Sequence, residues 1–257
     1  MKTFMNILIA GVIALTALQP TAFAGTATTT VAATTIAKTM PVNLIKAQLL
    51  DNHFFYTLKG EIDITNLAFK KQVTVIWDGR ATGGRVDATY KMPLEKGHEL
   101  WTFKTNINKA DLGVGGITLN IRYKVGGKTF FDTNGDDEYL LTPENFTMVL
   151  GDRLLANEDA TFDWTENAVN GTVIVKPGYP LAIKIVYTTD HWATKNFAYA
   201  GYQETLGEGI KANNLERWTF RLPVDEKTKN VEYAIARTEN GKATWDNNNL
   251  MNYHEAR

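Results

Sequence analysis

The 257-residue chain contains no cysteine, only seven prolines and only four histidines. Without cysteine it cannot be a disulfide scaffold, a Cys-anchored lipoprotein or a thiolate metal site. The histidines, at 53, 98, 191 and 254, have no spacing that suits a bound metal. There is no Gly-x-Ser-x-Gly and no glycine-rich phosphate loop. Charge of one sign is also missing: 27 Lys and Arg stand against 28 Asp and Glu, a net of -1. A surface this close to neutral gives no reason to expect a nucleic-acid partner.

One long apolar run occurs, Ile7 to Leu18. It follows Lys2 and precedes Pro20 and Ala22-Phe23-Ala24. A charged start, an apolar stretch too short to span a bilayer and an A-x-A site together predict an export signal over 1–24. No other stretch is apolar enough to predict a membrane span. The protein is therefore expected outside the cytosol, periplasmic or extracellular. Cleavage would remove Lys2 alone among the charged residues, taking the net charge from -1 to -2. Residues 25–41, mostly Thr, Ala and Val, read as a linker.

Beyond the linker, apolar residues alternate at period two. They fall at Ile62 and Ile64, at Val73, Val75 and Trp77, at Trp101 and Phe103, and at Ile117 to Tyr123. The pattern returns at Val173 and Val175, Ile183 to Tyr187, Trp218 and Phe220, and Val231 to Ile235. Short β-branched and aromatic runs bounded by Gly, Pro, Asn or Asp predict strands. The two halves also agree in order. Glu99-Leu100-Trp101-Thr102-Phe103 matches Glu216-Arg217-Trp218-Thr219-Phe220, and Gly60 matches Gly171. The expected fold is all-β: two tandem antiparallel, immunoglobulin-like β-sandwiches over 42–145 and 146–257. Trp101, Trp218 and Trp164 are expected in the cores, since aromatics at alternating positions usually pack inward.

A ten-residue stretch recurs at the end of each half. One copy runs from Phe130-Phe131-Asp132 through Asn134 and Glu138 to Tyr139. The other runs from Thr244-Trp245-Asp246 through Asn247-Asn248-Asn249 and Asn252 to Tyr253. An aromatic beside amides that both donate and accept suits a sugar, with its apolar face and hydroxyl rim. A plain hairpin with an Asn-rich tip fits the same residues. Asp132-x-Asn134-x-Asp136 opens like a calcium loop, but Asp137 stands where that loop needs Gly. No metal or cofactor is expected. The carboxylates of this turn crowd one side rather than facing each other across a bond, so glycoside hydrolysis is the weaker reading.

Each half resembles a starch-binding module of carbohydrate-binding family 21, a family also found in glycogen-targeting phosphatase subunits. The resemblance rests on Leu67-Ala68-Phe69-Lys70-Lys71-Gln72-Val73, Trp101-Thr102-Phe103 and Tyr123 to Asp132. In the second half it rests on Gly171-Thr172-Val173, Thr188-Thr189-Asp190-His191-Trp192 and Trp245 to Tyr253. It implies a non-catalytic protein that binds an α-glucan such as starch, glycogen or maltooligosaccharides. It also implies one sugar site at Trp192, Trp245, Asn247, Asn248 and Asn252. In the first half that site reduces to Phe131 and Asn134, because no Trp ends the Ile76-Trp77-Asp78-Gly79-Arg80 segment and Glu138 replaces the last Asn. A second implied site uses Phe69, Lys70 and Tyr90, with Tyr179 and Tyr202 as counterparts. The better-equipped second half is expected to bind more tightly. An adaptor that recruits a partner protein is the alternative, although the basic-Val-x-Phe docking motif is absent.

Overall fold

The computed structural model describes residues 40–257, apart from 80–82, 113–114, 136, 144–146, 180 and 207–213. The expected export signal and all but the last residues of the linker lie outside the described residues, as do Arg80 and Asp136.

Two β-sandwiches follow one another, as expected. In the first, one sheet contains β1 (Val42–Asn52), β2 (Phe55–Thr65), β6 (His98–Asn108) and β5 (Thr89–Pro93) in that order. Its other sheet runs β4 (Gly84–Asp87), β3 (Lys71–Gly79), β7 (Ile117–Val125) and β8 (Lys128–Asp132), with β9 (Tyr139–Leu141) also on β7. The second sandwich repeats this. Its first sheet is β11 (Leu155–Asp163), β12 (Ala168–Val175), β16 (Leu215–Pro223) and β15 (Gly201–Leu206). Its second is β14 (Asn196–Tyr199), β13 (Leu181–Thr188), β17 (Asn230–Glu239) and β18 (Lys242–Asp246), with β19 (Tyr253–Ala256) on β17. Every pairing is antiparallel.

The period-two residues become the cores. Ile62, Val73, Val75, Leu119 and Ile121 are fully enclosed in the first sandwich; Val173, Ile185, Leu222 and Ile235 are enclosed in the second. The matched glycines have one cause. A Cβ on Gly60 would stand 2.5 Å from the Phe103 ring, and one on Gly171 2.4 Å from the Phe220 ring. Each phenyl packs in the space a side chain would need.

Three tryptophans depart from expectation. Trp101 and Trp218 do occupy equivalent places against the two cores, but both are only half-buried. Each lies next to an edge strand, across from Tyr90 and Tyr202, and each indole N–H donates to a carboxylate two residues back, Glu99 at 2.9 Å and Glu216 at 2.8 Å. Trp164 is 62 % exposed. Its neighbour Phe162 takes the core position, and the Asp163 side chain accepts the Thr165 and Glu166 N–H groups, turning the chain before Trp164 can point inward.

The expected boundary at 145/146 cuts off a strand of the first sandwich. Strand β10 (Met148–Leu150) pairs with β1, so residues on the second side of that boundary extend the first sheet. Val149 belongs to the first core, while Met148 and Leu150 pack on Ala156, Ile174, Leu206 and Leu215 of the second sandwich. Side chains alternate across a strand, so these three residues bind one sandwich with each face. Gln48 Nε2 donates to Glu158 O at 3.1 Å, adding a polar tie between the two sandwiches.

Candidate functional site

The repeated ten-residue stretch proves to be a locked turn. Asp132 accepts hydrogen bonds from the Leu44 N–H at 2.6 Å, the Tyr139 hydroxyl at 3.0 Å and the Asn134 N–H at 3.1 Å. Asp246 repeats the pattern with Asn157 N–H at 3.2 Å, the Tyr253 hydroxyl at 2.7 Å and Asn248 N–H at 3.3 Å, and pairs with Arg153. Burial, with the adjacent aspartate, pushes both tyrosine hydroxyls well above the usual phenol range, so each stays a proton donor to its Asp. Asn134 and Asn248 both have left-handed backbone, and each Nδ2 donates to a main-chain carbonyl four residues on, Glu138 and Asn252. Asn247 Oδ1 accepts the Leu250 N–H, and the buried Asn249 bonds Arg153 and, in the first sandwich, Glu61. Half of this amide capacity therefore builds the turn. Among the described residues the Nδ2 of Asn247, the Oδ1 of Asn248 and the side chain of Asn252 have no hydrogen-bond partner.

Trp245 sits just before that turn on β18, the edge of its sheet, and is 51 % exposed. On the neighbouring β17, Val231, Tyr233 and Ile235 face the core, so Glu232, Ala234 and Ala236 face outward. Ala236 lies opposite Trp245 on one side and Lys184 on the other, and Lys184 lies opposite Tyr199. Ala234 lies opposite Val186, which pairs with Phe197. Ala234, Ala236 and Val186 thus form a low, almost covered apolar layer between Trp245 and the exposed Phe197 and Tyr199, crossed by Lys184, whose Nζ lies 3.8 Å from the Phe197 ring centre. The structure brings Trp192 to this same face. Its turn is fixed by Asp190, which accepts from Thr188 Oγ1 and Thr194 Oγ1, both at 2.7 Å. Those bonds, with the Thr194 N–H, hold the Asp190 carboxyl down at about 2. Trp192 has φ 70°, is half-buried, and its indole N–H donates to Glu232 at 2.8 Å.

Sequence reasoning missed Phe197, Tyr199 and Lys184. The signal was there in Phe197-Ala198-Tyr199, where Ala198 packs on the core and its neighbours must face out.

In the first sandwich the matching face is filled. Arg122, across from Phe131, takes the place of Ala236 and donates to Thr74 Oγ1 at 3.3 Å. Thr74 and Gln72 both donate to Asp87, at 2.8 and 3.0 Å. Asn120 takes the place of Ala234 and donates to Glu138 at 3.0 Å. Phe131 is 47 % exposed but stands beside a polar lattice rather than a shallow apolar floor.

The other aromatic cluster is a cleft of about 520 Å³ in the first sandwich, lined by Phe69, Tyr90 and Trp101. Phe69 has its whole side chain in solvent, and Tyr90 meets Trp101 edge-on at 6.3 Å. The loop bearing Phe69 is pinned from below. The Tyr123 hydroxyl donates to Thr65 O at 2.9 Å, and Lys71 bonds Asn66 at 2.6 Å and pairs with Glu99 at 2.8 Å. Lys71 rather than Lys70 lines this cleft; Lys70 lines a neighbouring one. Tyr179, Tyr202 and Trp218 repeat the aromatics in the second sandwich, with Tyr202 edge-on to Trp218 at 6.0 Å. There Leu181 stands first in its strand where Lys71 stands first in β3, so the ion pair is lost. Among the described residues no cluster of three or more His, Asp or Glu side chains is arranged to hold a metal.

Comparison with known proteins bears on both halves. The model for the carbohydrate/starch-binding module, family 21, matches residues 36–142 and again 154–255. Glucoamylase 1 of Rhizopus oryzae is 36% identical over 89 residues, 32% of this chain but only 14% of that enzyme. The solved starch-binding domain of Rhizopus oryzae glucoamylase, in complex with β-cyclodextrin and maltoheptaose, is 25% identical. That match covers 42% of this chain and 97% of the domain, with a TM-score of 0.33. The carbohydrate-binding module of the muscle glycogen-targeting subunit of protein phosphatase 1 is 19% identical over 39% of this chain and 73% of the module, also with a TM-score of 0.33.

Proposed function

The chain belongs to the family 21 carbohydrate/starch-binding modules, and from that premise we propose that it is an exported, non-catalytic α-glucan binding protein. Its principal sugar site is the outer face of the second sandwich. The observation that carries this reading is the set of four aromatic side chains on one outer face, Trp192, Phe197, Tyr199 and Trp245, with only the short, nearly covered Ala234 and Ala236 between them on β17. A pyranose has an apolar face and a hydroxyl edge. Rigid aromatic plates cover the first at small entropic cost. Lys184, the Asn247 amide and the Asn252 side chain supply hydrogen bonds for the second. The cleft at Phe69, Tyr90 and Trp101 and the exposed Tyr179 and Tyr202 beside Trp218 add weaker contacts, so one polymer is held at several points. The turn carboxylates serve structure: Asp132 and Asp246 are consumed by the turns, and Glu138 is bonded to Asn120.

The test is sedimentation of the protein with insoluble starch, using cellulose as control, with assay of released reducing sugar. Retention on starch alone without sugar release is expected. Equal retention on cellulose, or no retention at all, defeats the reading, and released sugar defeats its non-catalytic part.

A further inference from the structure

Trp245 stands on an edge strand, so the sheet ends at its far side. What lies beyond is the other sandwich. A groove of about 820 Å³ runs there, lined by Trp245, Asn247 and Leu250 on one bank and by Met92, Leu94 and Glu95 on the other. Leu250 is 78 % exposed, so the groove is open to solvent along its rim. The banks are held in register from three directions. Strand β10 packs on both sandwiches, Asn249 bonds Glu61 across the gap at 3.3 Å, and Arg153 ties the intervening chain to Asp246 and Asn249. The row Tyr199, Lys184, Ala236 and Trp245 crosses four strands, about 14 Å at the usual strand spacing. Its open end is this groove.

We propose that the sugar site is composite: a single α-glucan chain stacked on Trp245 continues into the groove and rests on Met92 and Leu94 of the first sandwich. This rests on the α-glucan reading above and names the part of the chain that the second sandwich alone would leave uncovered. The groove has the chemistry of such a ligand. Met92, Leu94 and Leu250 offer apolar contact, and the Nδ2 of Asn247, whose Oδ1 is already bonded, has no partner among the described residues. The first sandwich has Arg122 and Asn120 where the second has Ala236 and Ala234, and in this arrangement it contributes a wall to its neighbour's site.

The test compares maltotriose, too short to cover the aromatic row and the groove together, with maltoheptaose, using calorimetric titration of the intact protein. In the double variant Met92→Ala/Leu94→Ala, maltoheptaose affinity should fall 3- to 10-fold while maltotriose affinity is unchanged. Unchanged affinity for both sugars overturns the proposal. A parallel labelling experiment avoids any loss of folding in that variant. The protein has no cysteine, so the exposed position Glu95→Cys carries a single thiol. Saturating maltoheptaose should slow its alkylation by iodoacetamide at least threefold, and maltotriose should not; equal rates with and without maltoheptaose overturn the composite site. If the wild-type protein titrates with neither sugar, it is the α-glucan reading that fails.

Discussion

Trp245 and Asp246 are neighbours in the chain, one half in solvent and the other 2 % exposed. Their substitutions should separate binding from stability. Trp245→Ala removes a plate that supports no core, so the melting temperature should hardly move. Starch or maltoheptaose affinity should weaken by about 2 kcal/mol, the scale of a central aromatic contact. Asp246→Ala should do the reverse. It strands the Asn157 and Asn248 N–H groups, the Tyr253 hydroxyl and the Arg153 guanidinium, and leaving buried donors and a charge unpaired costs about 3–5 kcal/mol. A drop of many degrees in thermal melting is expected. A destabilised Trp245→Ala variant with unchanged affinity would sink the site. The sequence repeats both residues in the same breath, as Phe131-Asp132 and Trp245-Asp246, and this is why the stretch could be read either as a sugar site or as a hairpin tip. It is a hairpin tip that presents one aromatic. The Asp and Tyr were legible as a pattern, but their bond to each other was not, since nothing in a spacing of seven says that the two side chains meet.

At the scale of elements, the strands and the sandwich class followed from period two, and the cores at Val73, Val75, Ile185 and Ile235 came out where alternation put them. What alternation could not supply was which strands are edges. Trp101 and Trp218 read as core residues, yet each lies next to an edge strand and keeps one side open. The Thr188–Trp192 turn is the element on which the site depends most for shape. Its Asp190 carboxyl, held at about 2, contributes order that is fully present above the ordinary aspartate value of 3.8 and is lost only as pH falls through about 2. The difference in maltoheptaose affinity between the wild type and Asp190→Ala should therefore be the same at pH 4 as at pH 7, since His191 and Glu232 beside Trp192 are common to both. Asp190→Ala should weaken maltoheptaose binding severalfold at pH 7 with little change in melting, because this turn is on the surface. Wild-type affinity in that variant would show that Trp192 takes no part.

The two sandwiches are one body, and the reason is a three-residue strand that the repeat does not contain. Among the described residues every other strand of the first sandwich has its counterpart in the second; β10 does not, and comparison of the two halves placed the boundary just ahead of it. Met148-Val149-Leu150 is buried throughout, Val149 in the first core and its neighbours against the second sandwich. The chain then passes so close to β1 that a Cβ on Gly151 would lie 1.7 Å from Leu44 O, while the Gly151 and Asp152 N–H groups donate to Ile45 O and Leu44 O. From Met148 to Asp152 the connection is bound to β1. The intact protein should accordingly unfold in one calorimetric transition rather than two. A fragment ending at residue 145 loses β10 and exposes Ala47 and Leu49, so it should melt well below the intact chain. A fragment starting at 153 keeps its own core but bares Ile174 and Leu215. Gly151→Ala forces β1 and the connection apart and should cost several degrees. Two well-separated transitions in the intact protein, each matching one fragment, would show instead that the sandwiches fold alone and that β10 merely rests between them.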